Sequence, residues 1–308
     1  MIKKECFTAE WIEQVSSELH YNDKNLIEKV IRALSLLEML VKAGCPLVFK
    51  GGTALMLILG KSAHRLSIDI DVICPPGTNI EDYLKSFADF GFINLELVER
   101  KQRDDADIPK SHSKFFYQIA YRNDTDAQSY ILLDVLYEDI HYFQTRQIAI
   151  DCPFIRLEGE PLMVTVPSAE DILGDKLTAF APNTTGIPYY KNGRSCSMEI
   201  AKQLYDVGRL FENVSDLQIT KEAFRKIAVV ELSYRSFGTD IGQVFNDIRQ
   251  TALCISTRGK AGEGDFDLIQ DGIIRVKSFM YKQRYLIDHA IIDAARAAYL
   301  ATLIEKGI

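Results

Sequence analysis

The sequence contains no uninterrupted apolar stretch of about 18 residues, the length needed to span a bilayer as a helix. Its first residues, MIKKECFTAEWIEQ, lack the apolar core and the small-residue cleavage site of a secretory signal. It has no internal repeat and no low-complexity segment. These absences predict a globular protein of the cytoplasm with no membrane partner.

Cysteine and histidine are too scattered to form a recognisable ligand set. No two cysteines form a CxxC pair, and no histidines have the spacing of a metal site or a catalytic triad. We therefore predict six reduced thiols, as expected in the cytoplasm, and assign the histidines no chemistry. The residues concerned are Cys6, Cys45, Cys74, Cys152, Cys196 and Cys254, and His20, His64, His112, His141 and His289.

Positive charge is also scarce, because 36 Lys and Arg against 43 Asp and Glu give a formal net charge of -7. A protein whose main task is to coat nucleic acid carries a basic stripe, so this balance argues against that class. It leaves open an enzyme that grips a nucleic acid end through a local basic patch. One small cluster of this kind comprises Lys191, Arg194 and Lys202 with Tyr189 and Tyr190, and it could guide an RNA end by charge and stacking. The alternative is an ordinary solvated loop.

The 308 residues suffice for two domains, and the spacing of apolar residues changes along them. Short extended and helical segments alternate at first, whereas nearly everything after Ser168 has helical periodicity. We therefore predict an α/β domain at 1–160 and a helical domain at 161–308. Extended segments are predicted at 46–49, 68–73, 92–98, 115–121, 130–137, 146–151 and 162–165, and the longer helices at 8–19, 24–43, 80–90, 197–213, 220–235, 239–254, 265–284 and 286–305.

A glycine pair follows the first extended segment. Lys50-Gly51-Gly52-Thr53 leads into the run ALMLIL, which Gly60 ends, a pattern of strand, tight turn and short helix. Glycine lets the backbone approach a phosphate closely, and the free N–H groups of a helix N-terminus attract anions. Gly51, Gly52 and Thr53 are therefore candidate nucleotide-binding residues, with the Thr53 hydroxyl either capping the helix or reaching a phosphate oxygen.

Three isolated carboxylates stand in apolar strand patterns. Asp69 and Asp71 alternate with apolar residues, so both point to one face of a predicted strand, about 7 Å apart. Two such carboxylates repel each other and resist burial unless a cation binds between them. Asp134 is the single acid in YILLDVLY, a pattern typical of a central strand with a buried acid. Three convergent carboxylates suit two magnesium ions in nucleotidyl transfer, so Asp69, Asp71 and Asp134 are candidate catalytic metal ligands.

The run FKGGTAL, followed by RLSIDID, resembles the DNA polymerase β-like nucleotidyltransferases and is most similar to their AbiEii/AbiGii toxin family. The family's Lys-Gly-Gly-Thr opening and its Arg-x-Ser-x-Asp-x-Asp strand are both present, with Arg65 and Ser67 ahead of the carboxylates. Two later segments match as well: SAEDILGDKL, which contains Lys176, and KQLYDVGRL, which contains Asp206 and has Gln203 in place of an acid. The likeness runs in order from residue 47 to about residue 212.

The resemblance implies an α+β protein with a polymerase β-like mixed sheet and an α-helical C-terminal domain. It implies a toxin that transfers NMP from a nucleoside triphosphate to an acceptor hydroxyl such as the tRNA 3′ end, with Mg²⁺ as cofactor and a cognate antitoxin as partner. In this family pattern Lys176 would bind the triphosphate and Asp206 would orient Lys176. Arg65 and Ser67 would orient the carboxylates or bind phosphate.

The helical residues have plainer alternatives, and so does the function. Lys176 could simply be a lysine on the helix surface or the partner of Asp175. Asp206 follows Lys202 by four residues, the spacing of an ion pair on a helix surface. An antibiotic-modifying nucleotidyltransferase would use the same metal site, and an acidic cleft in the helical domain would favour it. A protein that binds nucleotide without turnover is the third alternative.

Overall fold

A computed structural model describes residues 1–98, 109–121, 127–235, 238 and 240–308. Contacts within the described chain divide it into two compact units. One unit runs from Met1 to Ile140 and resumes at Thr145–Pro167, and the other comprises His141–Gln144 and Ser168–Ile308.

Five strands of the first unit form a mixed sheet among the described residues. The strands are β1 (Val48–Lys50), β2 (Ile70–Cys74), β3 (Asn94–Val98), β4 (Lys110–Gln118) and β5 (Gln128–Tyr137). Their order is β1-β2-β5-β4-β3, in which β2 and β5 run parallel and the other neighbours antiparallel. Asp134 therefore lies on the central strand, as its apolar surroundings predict. A separate antiparallel pair follows, β6 (Thr145–Ala149) with β7 (Met163–Pro167).

The helices of the first unit are α1 (Ala9–Glu18), α2 (Lys24–Lys42) and α3 (Gly51–Leu59). The periodicity of α2 predicts one apolar stripe, but this helix is buried on several faces, including Glu28, Arg32 and Glu38. The polar side chains have partners there: Glu38 accepts the Ile2 N–H at 2.9 Å, and the Arg32 guanidinium lies over the Tyr117 ring. Partners of this kind make burial of charge tolerable, and α2 contacts both β2 and β5 as the central helix of the unit.

The second unit contains the helices α4 (Ala169–Ala179), α5 (Ser197–Phe211), α6 (Leu217–Tyr234), α7 (Ile241–Ser256), α8 (Phe266–Val276) and α9 (Ile287–Lys306). Ser168 caps α4 by accepting the Asp171 N–H, as its sequence predicts. A small hairpin, β8 (Tyr190–Lys191) with β9 (Arg194–Ser195), was not predicted. Its turn is Asn192-Gly193, and both residues have positive φ, the combination that favours tight two-residue hairpins.

The predicted fold class, an α+β protein with a mixed sheet and a helical C-terminal region, is confirmed. The single helix predicted at 80–90 is wrong: two short 3-10 segments, Ile80–Tyr83 and Phe87–Phe90, occupy the range. The helix predicted at 265–284 ends earlier, at Val276, before a 3-10 turn. The predicted first residue of the helix at 239–254 lies outside the described residues.

The six cysteines are free thiols, in agreement with the prediction, and Cys45 and Cys74 bring their sulfur atoms within 4.0 Å of each other. No helix in the described chain combines the length and the apolar character that crossing a membrane requires.

Candidate active site

The glycine pair forms the turn between β1 and α3. Gly51 has a φ of 79°, a left-handed conformation that glycine adopts without steric cost. A methyl group at Gly51 would overlap the Asp71 carboxylate, so this glycine lets the start of α3 lie directly against that acid. At the other end, Gly60 caps α3 with a φ of 50°, as predicted.

Four polar residues stand in one row across the sheet. Lys50 on β1 is paired with Asp71 on β2, Asp71 with Asp134 on β5, and Asp134 with His112 on β4. Directly paired residues on neighbouring strands project their side chains to the same face of a sheet. Two of the predicted metal ligands, Asp71 and Asp134, are thus immediate neighbours although they lie far apart in the sequence.

Asp69 lies just outside this row. The sequence predicts that Asp69 and Asp71 share one strand, but β2 begins only at Ile70, and Asp69 is an exposed residue before it. The physical reason is that β1 ends at Lys50, opposite Asp71, so β1 has no residue to pair with Asp69. The buried Thr53 hydroxyl instead donates to the Asp69 carbonyl oxygen at 2.7 Å. Thr53 therefore holds Asp69 to α3 in this structure, and its hydroxyl caps no helix end.

Arg65 and Ser67 lie against the second glycine of the turn. A methyl group at Gly52 would come within 2.6 Å of the Ser67 hydroxyl and 3.0 Å of an Arg65 guanidinium nitrogen. Arg65 is buried, and its guanidinium donates to the Leu66 carbonyl oxygen at 2.9 Å. The segment before β2 is thus folded onto the glycine turn, which brings the two predicted phosphate-binding motifs of the first unit together.

His112 is the residue at this site that sequence reasoning missed. Its Nδ1 lies 2.5 Å from Oδ1 of Asp134, and an ionised carboxylate only accepts, so Nδ1–H donates. Both side chains are about one third exposed, at 28% and 33%, so Asp134 is less buried than its apolar strand predicts. Neither residue lies near the other in sequence, and only the register of β4 against β5 pairs them.

The second unit contains the other predicted residues, Lys176 on α4 and Asp206 on α5. The Lys176 ammonium lies 2.9 Å from an Asp206 carboxylate oxygen and donates to the Gln203 side-chain oxygen at 2.9 Å. This pair is buried, with 9% and 2% of the two side chains exposed.

The surface alternative for Lys176 does not hold, because its side chain is buried against Asp206. Asp175 accepts a hydrogen bond from the Tyr142 hydroxyl at 2.8 Å, while Lys176 is paired with Asp206. The ammonium of Lys202 lies 3.6 Å from the centre of the Phe279 ring. The residue at the place of the family's usual acid, Gln203, thus contacts the lysine of the preceding motif.

The described residues contain no group of three or more His, Cys, Asp or Glu side chains arranged to hold a metal ion. The oxygen donors of Asp71 and Asp134 are of the kind that magnesium prefers and lie side by side. Asp69 is two residues from Asp71 along the chain. The donor set therefore fits a divalent cation in its chemistry, with Asp71 and Asp134 as directly paired oxygen donors.

Comparison with known proteins gives a family for the chain and a likeness to solved structures. The sequence profile described as "Nucleotidyl transferase AbiEii toxin, Type IV TA system" matches residues 34–284. No curated protein matches the chain. Among solved structures, MenT4, a nucleotidyltransferase toxin from Mycobacterium tuberculosis H37Rv, is similar with a TM-score of 0.51 and 13% identity, over 96% of this chain and 89% of that one. JHP933 from Helicobacter pylori is similar with a TM-score of 0.47 and 17% identity, over 91% of this chain and 93% of that one.

The profile covers most of the chain, including the glycine turn, the three carboxylates and the Lys176–Asp206 pair. The likeness to MenT4, at 13% identity, shows that the two chains share a fold. The chain belongs to the AbiEii family of nucleotidyltransferase toxins of type IV TA (toxin–antitoxin) systems.

Proposed function

We propose that this nucleotidyltransferase uses magnesium to transfer NMP from a nucleoside triphosphate to the 3′ end of an RNA, with tRNA as the acceptor. The observation that supports the site best is the direct pairing of Asp71 with Asp134 beside the glycine turn. Two neighbouring carboxylates on one face of a sheet are costly without a cation. The protein acts in the cytoplasm, and a cognate antitoxin protein silences it.

Asp69, Asp71 and Asp134 would hold two magnesium ions. When bound, magnesium supplies charge neutralisation at the phosphates and lowers the pKa of an acceptor hydroxyl. Asp69 is exposed and directly precedes β2, two residues from Asp71, so its carboxylate would be accessible to the same cation. His112 would keep the Asp134 carboxylate turned in one direction through their 2.5 Å contact.

The glycine turn would bind the triphosphate. The backbone N–H groups of Gly52 and Thr53 lie in the first turn of α3, where they have no partner within the helix and attract anions. Gly51 permits the turn, while Arg65 and Ser67 beside Gly52 add a guanidinium and a hydroxyl. These groups orient the nucleotide by hydrogen bonds alone, and the reaction needs no covalent bond to the protein.

Lys176 would contact the triphosphate, and Asp206 would orient Lys176. The support is the buried pair itself, because Asp206 and Gln203 fix the ammonium group in one place. A lysine that is held in this way loses little conformational entropy on binding a phosphate.

The experiment that tests the function uses purified protein, magnesium, total tRNA and each α-³²P-labelled nucleoside triphosphate in turn, resolved on a denaturing gel. We expect a labelled tRNA band with one nucleotide, and loss of that band in Asp71→Asn and in Asp69→Ala. Full activity of either variant in magnesium would overturn the metal assignment. Label that never reaches RNA would refute the acceptor while leaving the nucleotide site intact.

An acidic cleft in the helical unit would favour the alternative of an antibiotic-modifying nucleotidyltransferase, whose aminoglycoside substrate is cationic. A cavity of about 310 Å³ does contain Asp240, Asp247 and Glu263. The Asp247 carboxylate, however, already accepts hydrogen bonds from Asn183 and Thr184. Because its main acid is engaged by the protein, this cavity does not favour a cationic substrate over RNA.

A further inference from the structure

A second and larger cavity opens where α5 and α8 of the helical unit pack together. It has a volume of about 610 Å³ and is lined by Met198, Ile274, Arg275, Lys277 and Ser278, which together we call the basic recess. Gly272 lies against the backbone of Ser197, and a methyl group there would overlap it. This close approach fixes α8 and the residues after it against the start of α5.

The basic recess lies in the most positive part of the sequence. Residues 272–284, GIIRVKSFMYKQR, contain four basic residues and no acid, in a chain whose net charge is -7. Arg275 and Lys277 are both exposed. The acid that faces Arg275, Asp271, is 3.7 Å from its guanidinium, and both side chains are about half exposed, so this ion pair is weak.

The hairpin directly before α5 adds to this charge. Lys191 and Arg194 are exposed on its two strands. Tyr190 on the same hairpin is 58% exposed, although a tyrosine normally buries much of its ring. The ring of Phe279, two residues after Lys277, lies under the Lys202 ammonium.

Apolar side chains line the same opening as the cations. Ile274 is 62% exposed on α8, next to Arg275, and Met198 faces the recess from α5. A surface with apolar groups between cations suits a nucleotide, because the base packs on the apolar groups and the phosphates meet the cations. A polyanion without bases would use only the cations.

We propose that the basic recess binds the RNA acceptor, with a base against Ile274 and Met198 and backbone phosphates at Arg275 and Lys277. The inference rests on the proposed function for the choice of RNA over other polyanions. An acidic protein partner would be attracted by the same cations but would gain nothing from apolar groups placed between them for a base.

The test measures equilibrium binding of a fluorescein-labelled single-stranded RNA by anisotropy, without nucleoside triphosphate, over a series of salt concentrations. The variant Arg275→Glu/Lys277→Glu is compared with Lys226→Glu/Lys306→Glu, an equal charge change at exposed positions of α6 and α9. Arg275→Ala/Lys277→Ala serves if the reversed charges impair folding, which circular dichroism checks. Ile274→Ala tests the contact with the base.

We expect the recess variant to bind RNA at least about 10-fold more weakly, with the slope of log affinity against log salt reduced by about one for each phosphate that the protein no longer binds. Ile274→Ala should weaken RNA binding without changing this slope. The control should bind like the wild type. Equal loss in both double variants, or displacement of RNA by polyglutamate as readily as by unlabelled RNA, would overturn the proposal and point to charge alone or to a protein partner.

The RNA-binding measurement tests the basic recess, and the labelling of RNA tests the proposed transfer activity. If the wild type binds RNA through the recess but never labels it, the surface stands and the proposed acceptor is wrong. If the wild type labels RNA and the recess variant has an unchanged KM for RNA, the function stands and the recess is not the acceptor site.

Discussion

At the scale of single residues, the site depends on what lies against the two glycines. Gly51 combines a positive φ with direct contact to the Asp71 carboxylate. Gly44 has nearly the same φ, 74° against 79°, but a methyl group there would meet no atom within 4 Å. An alanine at Gly44 would therefore strain only the backbone, whereas an alanine at Gly51 would strain the backbone and also displace the Asp71 carboxylate.

We predict that Gly51→Ala abolishes transfer, because the new methyl group pushes Asp71 out of its row, and that it also costs about 1–2 kcal/mol of stability through the left-handed backbone. Gly44→Ala should cost a similar amount of stability and keep its activity. Thermal unfolding and the tRNA-labelling rate measure the two effects. Equal activity of the two variants would show that the contact with Asp71 is unimportant.

A second prediction concerns His112, which the sequence alone could not connect with Asp134. His112→Ala removes the 2.5 Å contact and frees the carboxylate to rotate, so we expect transfer to fall by roughly 10–100-fold, the usual effect of losing a group that orients a ligand. His112→Asn places an amide N–H near the position of Nδ1 and should recover part of the rate. If both variants lose activity equally and also unfold at lower temperature, the role of His112 is structural.

At the scale of elements, the sequence predicted most helices and strands because their periodicity is long and their ends are marked. Ser168 begins α4, and Gly60 ends α3, as their residue types indicate. The errors occur where a tertiary contact outweighs local pattern. Asp69 lies outside β2, where its carbonyl oxygen accepts a hydrogen bond from the Thr53 hydroxyl, and α2 is buried on more than the one apolar stripe that its periodicity predicts.

The residue types of the candidate site could be predicted from the sequence, but their positions relative to one another could not. The acids and the glycines are visible as sequence motifs, whereas the row from Lys50 to His112 depends on strand order and register. A shift of one residue in the pairing would send His112 to the other face of the sheet. No local sequence signal fixes that register.

The packing of α4 against α5 gives a third prediction. Asp206→Leu leaves the buried Lys176 ammonium without its carboxylate, which typically costs about 3–5 kcal/mol. Lys176→Met/Asp206→Leu removes both charges and should regain most of the stability measured by urea unfolding. If Lys176 also binds the triphosphate, the double variant stays inactive although it is folded. Recovery of activity together with stability would reduce the pair to a structural role.

At the scale of the whole molecule, buried carboxyl groups make stability depend on pH. Burial raises the pKa of Glu28 and Glu38 in the first unit and of Asp247 and Asp293 in the second. A carboxyl group with a raised pKa in the folded state contributes stability at low pH that is lost as the pH rises through that pKa. Both units should therefore lose some stability as the pH rises above about 4, the pKa of a carboxyl group in the unfolded chain.

Asp293 on α9 provides the sharpest case. Burial raises its pKa from 3.8 to about 6, against the opposing effect of the Arg209 and Arg296 guanidinium groups. Relative to Asp293→Asn, which cannot ionise, the wild type should lose up to about 3 kcal/mol of unfolding free energy as the pH rises from about 4 to about 6. Urea unfolding followed by far-ultraviolet circular dichroism measures this difference, in which the contributions of the other buried acids cancel.

The single tryptophan supplies the internal control for that experiment. Trp11 is buried in the first unit, where its indole N–H donates to the Phe154 carbonyl oxygen, so its fluorescence follows the unfolding of that unit. Circular dichroism follows the helices of both units. If Asp293 acts where it is buried, the substitution changes the pH dependence of the dichroism transition and leaves that of the fluorescence transition unchanged. A parallel change in both would mean that the two units unfold as one cooperative body, and an absence of change in either would show that Asp293 titrates as an ordinary surface acid.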